Sequence, residues 1–114
     1  MRVISLKRLR EFWEKHPDSE RPLRTWHKIA ELHEWSSLSE LRVVFPSADV
    51  VRLKCNVNVV VFNVGGNKYR LIVRILYREK EFKKGFIYVK RILTHADYDR
   101  IDWKGQICRE QPTK

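Results

Sequence analysis

NVVVFNVGGNKYRLIVRILYREKEFKKGFIYVKRILTHADY, residues 58–98, is the stretch that decides the fold. Two runs rich in Val, Ile and Tyr meet at Gly65-Gly66-Asn67, residues that accept positive φ and close a hairpin. A third run, Phe86 to Leu93, follows a charged turn through Lys80, Lys83, Lys84 and Gly85. The pattern predicts three antiparallel strands. Side chains alternate along a strand, so Arg70, Arg74 and Arg78 are expected on one face. The last strand delivers Lys90 and, just past its end, His95 and Tyr98. Cations on a sheet face that ends in an imidazole and a phenol suit the holding and cutting of a phosphodiester.

Outward from this stretch, two amphipathic segments precede the sheet. Leu6, Leu9, Phe12 and Trp13 give a stripe to a helix from Leu6 to about His16, with Ser5 in the N-cap position. Pro17 ends it. Asp18 or Ser19 starts a second helix that tolerates Pro22 in its first turn and carries Leu23, Trp26, Ile29, Ala30 and Leu32 towards Trp35. Met1 to Ile4 and Val50 to Leu53 read as short strands. Ser37 caps a single turn through Leu41, and Pro46 to Asp49 reads as a loop. Past Tyr98, Ile101 and Trp103 are expected to dock a short terminal helix or turn, with a frayed tail from Arg109. The class is α+β: two N-terminal helices packed on a small antiparallel β-sheet.

Length and charge narrow the function. The 114 residues suffice for one domain with a single small core. Lys and Arg number 24 against 14 acidic residues, a net charge of +10 that favours a polyanionic partner, nucleic acid above all. No apolar run is long enough for a secretion signal or a membrane span, so the protein is expected in the cytosol, away from membranes. Cys55 and Cys108 stand outside any C-x-x-C pattern, and both are expected to be reduced, Cys55 as a small packed hydrophobe.

Each candidate residue has a functional and a purely structural reading. Histidine takes and gives protons near neutral pH, which RNA cleavage through its own 2′-OH requires; His95 either does this or merely starts the segment Ala96 to Arg100. His16, His27 and His33 lie on the helices and read as boundary or surface residues. Tyr98 either orients a nucleotide or packs on Trp103, and Asp97 and Asp99 either orient His95 or offset the dipole of the turn. Arg70, Arg74 and Lys90 either grip phosphate and stabilise the charge of a phosphorane or form a solvated face beside Ile72, Tyr88 and Ile92. The glycines form a turn and no phosphate loop, because neither G-x-x-x-x-G-K-[ST] nor a following helix is present. Acidic residues are scattered, so no two-metal centre is expected, and neither a metal nor a small-molecule cofactor is assigned.

The run Val61-Phe62-Asn63-Val64-Gly65-Gly66-Asn67-Lys68-Tyr69-Arg70-Leu71-Ile72, followed by Tyr88-Val89-Lys90 and Thr94-His95-Ala96-Asp97-Tyr98-Asp99, resembles the HigB family of bacterial type II toxin-antitoxin toxins, a branch of the RelE-like group. The resemblance extends from the Met1 strand to about Trp103 and implies one RelE-like toxin domain over residues 1–114. It also implies an endoribonuclease, an mRNA interferase that cuts mRNA on the translating ribosome and is neutralised by a HigA-type helix-turn-helix antitoxin. Carried over, the matching positions are Asn67, Arg70, Lys90, His95 and Tyr98; His95, Lys90, Arg70 and Tyr98 form the expected catalytic set, and Asn67, joined by Arg74 and Lys68 from the cationic strands, the expected RNA-binding set. RelE-like enzymes differ in which side chains act as acid and base, so His95 keeps both roles open. The competing classes are a non-enzymatic RNA- or ribosome-binding module on the same cationic face and a protein-interaction adaptor.

Overall fold

The computed structural model describes residues 1–79, 81 and 84–111. Lys80 and Lys83 of the expected charged turn, and the last three residues of the tail, lie outside the described residues. In chain order the elements are β1 (Arg2–Ile4), α1 (Leu6–Lys15), a 3-10 turn (Pro17–Ser19), α2 (Glu20–Leu32), α3 (Leu38–Val44), β2 (Asp49–Arg52), β3 (Asn58–Val64), β4 (Tyr69–Leu76), β5 (Phe86–Thr94), α4 (His95–Arg100) and α5 (Trp103–Arg109).

The expected α+β architecture is present, with one difference in the sheet. It has five strands in the order β1-β5-β4-β3-β2. Its β1 edge pairs parallel to β5, Val3 opposite Ile87, so the sheet is mixed. The β3–β4 hairpin turns at Gly65 and Gly66, with φ of +65° and +70°. A Cβ on Gly65 would stand 3.3 Å from the Tyr69 ring, so that turn has little room for a side chain. Helix ends also moved. Ser5 flanks α1 but its side chain makes no cap bond. The Ser37 hydroxyl, by contrast, accepts from the Glu40 amide at 3.3 Å and starts a full seven-residue helix where a single turn was expected.

One face of the sheet is covered by α1, α2 and α3. Val60, Phe62, Val64, Leu71, Val73, Ile87 and Val89 meet Leu9, Leu23, Trp26, Ala30 and Leu41 there, a continuous apolar layer and the main source of stability. The opposite face, expected to lie open, carries a second and smaller core. Val59, Val61 and Ile72 lie beneath Trp103 and Ile107 of α5, with Leu53 and Val57 alongside. Trp103 is capped into place by Asp102, whose carboxylate accepts from the Gly105 amide at 3.1 Å.

A correction concerns the cysteines. Cys55, in the β2–β3 connection, and Cys108, in α5, form a disulfide with Cα atoms 5.8 Å apart. Far apart in sequence, they give no spacing signal; the fold brings them together because α5 folds back over the sheet. A second tie is the Arg91–Glu110 ion pair, which holds the Glu110 carboxyl below its ordinary value through the hydrogen bond from Arg91. A carboxylate depressed in the folded state stabilises above its unfolded pKa, 4.5, and loses that contribution as pH falls through the folded value. Glu110→Gln should therefore flatten the fall of the thermal midpoint from about pH 5 to about pH 3. Parallel curves for the two proteins would exclude Glu110 from the acid response.

Candidate RNA-binding cleft

The strands decide which side chains can meet. Asn63 of β3 stands opposite Arg70 of β4, and Arg70 opposite Leu93 of β5, forming one row across the α5 side of the sheet. The next row on that face runs Asp49, Val61, Ile72, Arg91. Arg70 and Arg74 flank Ile72 on this face, as strand alternation predicts. Arg78 does not join them: β4 ends at Leu76, and the Arg78 amide bonds back to the Trp35 carbonyl on the side of the N-terminal helices.

A bulge alters the last strand. Ile72 pairs with Arg91 and Val73 with Val89, which leaves Lys90 as an extra residue. The alternation therefore reverses beyond it: Ile92 turns to the helix-covered core and Leu93 to the other face. Ile72 is wholly buried under α5 and Ile92 points away, so neither supplies the stacking surface expected of them. Tyr88 remains on the open part of the face, opposite Arg74.

Because α5 lies over Ile72, the cations divide into two groups. At one end a polar cleft of about 500 Å³ is bounded by Arg70, Asn63, Asp49 and Tyr98, with Arg42 of α3 and Ala48 of the α3–β2 connection closing it. At the other end Arg74 and Lys90 line a separate concavity with Tyr88, Glu110 and Gln111. There the Arg74 guanidinium donates to Gln111 Oε1 at 2.8 Å. Lys90 lies three residues before Leu93, the partner of Arg70, which is roughly 10 Å along the strand. Arg70 and Tyr98 are thus brought together; Lys90 and Arg74 are not brought to them.

Arg70 is aimed by its own turn. Its Nη1 donates to the Asn67 and Tyr69 carbonyls at 3.1 and 3.3 Å, and its Cζ stands 5.8 Å from the centre of the Tyr98 ring. Tyr98 packs on Trp103 at 5.2 Å between centroids, and the Trp103 indole donates to the Tyr98 carbonyl. The packing reading of Tyr98 therefore holds together with its place in the cleft. Burial raises the Tyr98 phenol above its ordinary 10.0, Asp49 and Asp99 push the same way, and Arg70 opposes them. At neutral pH the phenol is a hydrogen-bond donor.

His95 opens α4 behind its cap, Thr94, whose hydroxyl accepts from the Asp97 amide at 3.1 Å. Its backbone amide bonds to the Lys68 carbonyl at 2.9 Å, which pins the helix start to the glycine turn. The imidazole is exposed, 3.3 Å from Asp99 through Nδ1, while Asp97 is engaged by Arg100. His95 does not line the cleft but stands one helical turn before Tyr98. Asn67 lies exposed in the turn, its carbonyl committed to Arg70. Lys68 reaches the opposite side of the molecule, where it pairs with Asp18 at 3.1 Å. That carboxyl is held low first by the hydrogen bond from Tyr69 and then by Lys68. Among the described residues, no three His, Cys, Asp or Glu side chains converge as a cation cage, and no helix is long and apolar enough to cross a membrane.

Three lining residues, Arg42, Asp49 and Asn63, were not singled out from sequence. Asn63 was readable in principle, since a two-residue glycine turn sets it opposite Arg70. Arg42 and Asp49 enter from a helix and an edge strand whose approach no local pattern announces.

A small mixed sheet with α1 to α3 on one face, α5 across the middle of the other and a cleft carrying Arg42 and Arg70 at that face's end is an arrangement suited to a nucleic-acid ligand. The family model described as HigB_toxin, RelE-like toxic component of a toxin-antitoxin system, matches residues 19–101. The chain belongs to this HigB toxin family. It is similar to the mRNA interferase HigB of Escherichia coli O6:H1, at 31% identity over 101 residues covering 89% of this chain and 91% of that protein. Similarity to the mRNA interferase toxin HigB of Escherichia coli K12 is 28% over 99 residues, 87% of this chain and 88% of that one. The mRNA interferase HigB of Shigella flexneri matches to the same extent.

Proposed function

We propose that this chain is one toxin domain with endoribonuclease activity, which cleaves mRNA on the translating ribosome in the cytosol and is held in check by a HigA-type helix-turn-helix antitoxin. The observation that carries the reading is the convergence of the Arg70 guanidinium and the Tyr98 phenol on one polar cleft, with the exposed imidazole of His95 a helical turn away. Relatives named mRNA interferases support the choice of substrate.

The reaction we assign uses protein groups alone. The RNA 2′-OH loses its proton as its oxygen attacks the adjacent phosphorus in line, the bond to the 5′-oxygen breaks, and that oxygen is protonated. A 2′,3′-cyclic phosphate and a 5′-hydroxyl end result. His95 serves one of the two proton transfers, oriented by Asp99, and Arg70 holds the non-bridging oxygens where negative charge grows. The Tyr98 phenol positions the nucleotide, with Asn67 at the rim. Lys90 and Arg74 bind the phosphates of the strand as it continues past α5, and Lys68, more distant, adds to the attraction of the whole surface.

Incubating the protein with mRNA in a reconstituted translation system, with ends mapped, tests this. Discrete cuts bearing cyclic phosphate are expected. Tight, salt-sensitive binding without scission would favour the RNA- or ribosome-binding module. For binding itself, Arg70→Ala should lower the slope of log affinity against log salt by about 1, as loss of one phosphate contact requires. An unchanged slope would remove Arg70 from the phosphate path.

A further inference from the structure

We propose that the cleft beside Arg70 is a nucleobase-reading site that takes guanine next to the cut, with Asp49 and Arg42 as its specificity-determining residues. The inference rests on the endoribonuclease reading of the same cleft. Its volume, about 500 Å³, exceeds what one phosphate needs and accommodates a purine. Its lining is mainly polar and chemically divided. The Asp49 carboxylate, from the β2 edge, offers acceptors, whereas the Arg42 guanidinium, from α3, offers only donors. The Arg42 Nε is fixed by the Ala48 carbonyl at 3.0 Å, which holds its guanidinium at the cleft wall and leaves the terminal nitrogens for a ligand.

Asp49 and Tyr98 both line the cleft, so carboxylate and phenol border a common space. Asn63 stands across from Arg70 in the same lining and can serve as donor or acceptor. Single-stranded RNA is read by splaying a base and bonding its Watson–Crick and Hoogsteen edges. Among the four bases, only guanine presents two adjacent donors, N1–H and the N2 amino group, together with two adjacent acceptors, O6 and N7. A carboxylate matches the first pair and a guanidinium the second. Adenine would set its N1 acceptor against Asp49, and the pyrimidines lack the second acceptor pair.

The test uses the full chain and the mapped ends of messages in a reconstituted translation system. Wild-type cuts should show guanosine at one fixed position beside the scissile bond, favoured about tenfold to a hundredfold over other bases. Asp49→Asn should reduce that preference to less than about threefold and redistribute the cuts, since an amide no longer accepts at both oxygens. Messages made with inosine for guanosine leave the protein untouched and remove only the N2 amino group. Cutting at those sites should slow about tenfold. Cleavage with no guanosine enrichment, or enrichment that survives both Asp49→Asn and inosine, would overturn the assignment and leave the nuclease reading standing. Absence of any wild-type cleavage would remove the nuclease reading and this inference with it.

Discussion

His95→Ala should lower the rate of mRNA cleavage by about 10² to 10⁴ while leaving the fold and the affinity for RNA close to wild type. The imidazole can be removed cleanly because it is exposed and contacts Asp99 through Nδ1, with no role in either core. What anchors the start of α4 is its backbone amide on the Lys68 carbonyl and the Thr94 cap, and neither depends on the side chain. Single-turnover cleavage with the variant, beside its melting curve, measures both halves of the expectation. A rate within threefold of wild type would hand the proton transfer to another group, such as the Tyr98 phenol in the cleft. A lost fold with lost cleavage would make His95 structural.

The second large effect concerns stability. Reducing the Cys55–Cys108 bridge, or replacing both residues with Ser, frees a loop whose ends are 53 residues apart. Loop-closure entropy puts the loss at about 4 kcal/mol. For a domain of this size that is a fall in thermal midpoint of about 15 °C. The consequence reaches the cleft, because α5 carries Trp103, on which Tyr98 packs. With the bridge reduced, α5 and the residues just after it are still held by Trp103 and Ile107, by the Arg91–Glu110 pair and by the hydrogen bonds from Arg91 to Gln106 and from Arg74 to Gln111. Melting with and without a dithiol reductant checks the figure. A shift under about 3 °C would mean that apolar packing, not the bridge, holds α5.

Much of the architecture was legible because it rests on local rules. Alternating Val, Ile and Tyr around two glycines can form little but a hairpin, and the stripes of α1 and α2 needed a sheet to cover. The parallel pairing of β1 to β5 is a long-range choice that three residues do not signal. The bulge at Lys90 leaves no local signal for a different reason. Both registers of Phe86 to Thr94 bury some apolar side chains, and only packing against β4 chooses between them. From that one extra residue follow the withdrawal of Ile92 to the helix side and the separation of Lys90 from Arg70. A short terminal helix through Trp103 was expected, but the face it covers was hidden, since a seven-residue helix with two buried side chains does not say which side of the sheet it meets. Of the cleft, Arg70 and Tyr98 could be found from strand alternation and a family motif, whereas Arg42 and Asp49 belong to it only through the fold.

The proposed reaction belongs to the Arg70–Tyr98 end of the sheet, with the Lys90–Arg74 concavity serving the continuing strand. Single-turnover cleavage of one message by Arg70→Ala and by Lys90→Ala, each at saturating protein, separates the two ends directly. The predicted result is a loss of about 10² or more for Arg70→Ala, where a transition-state contact disappears, and less than about tenfold for Lys90→Ala. The reverse order, with Lys90 dominant and Arg70 dispensable, would contradict it.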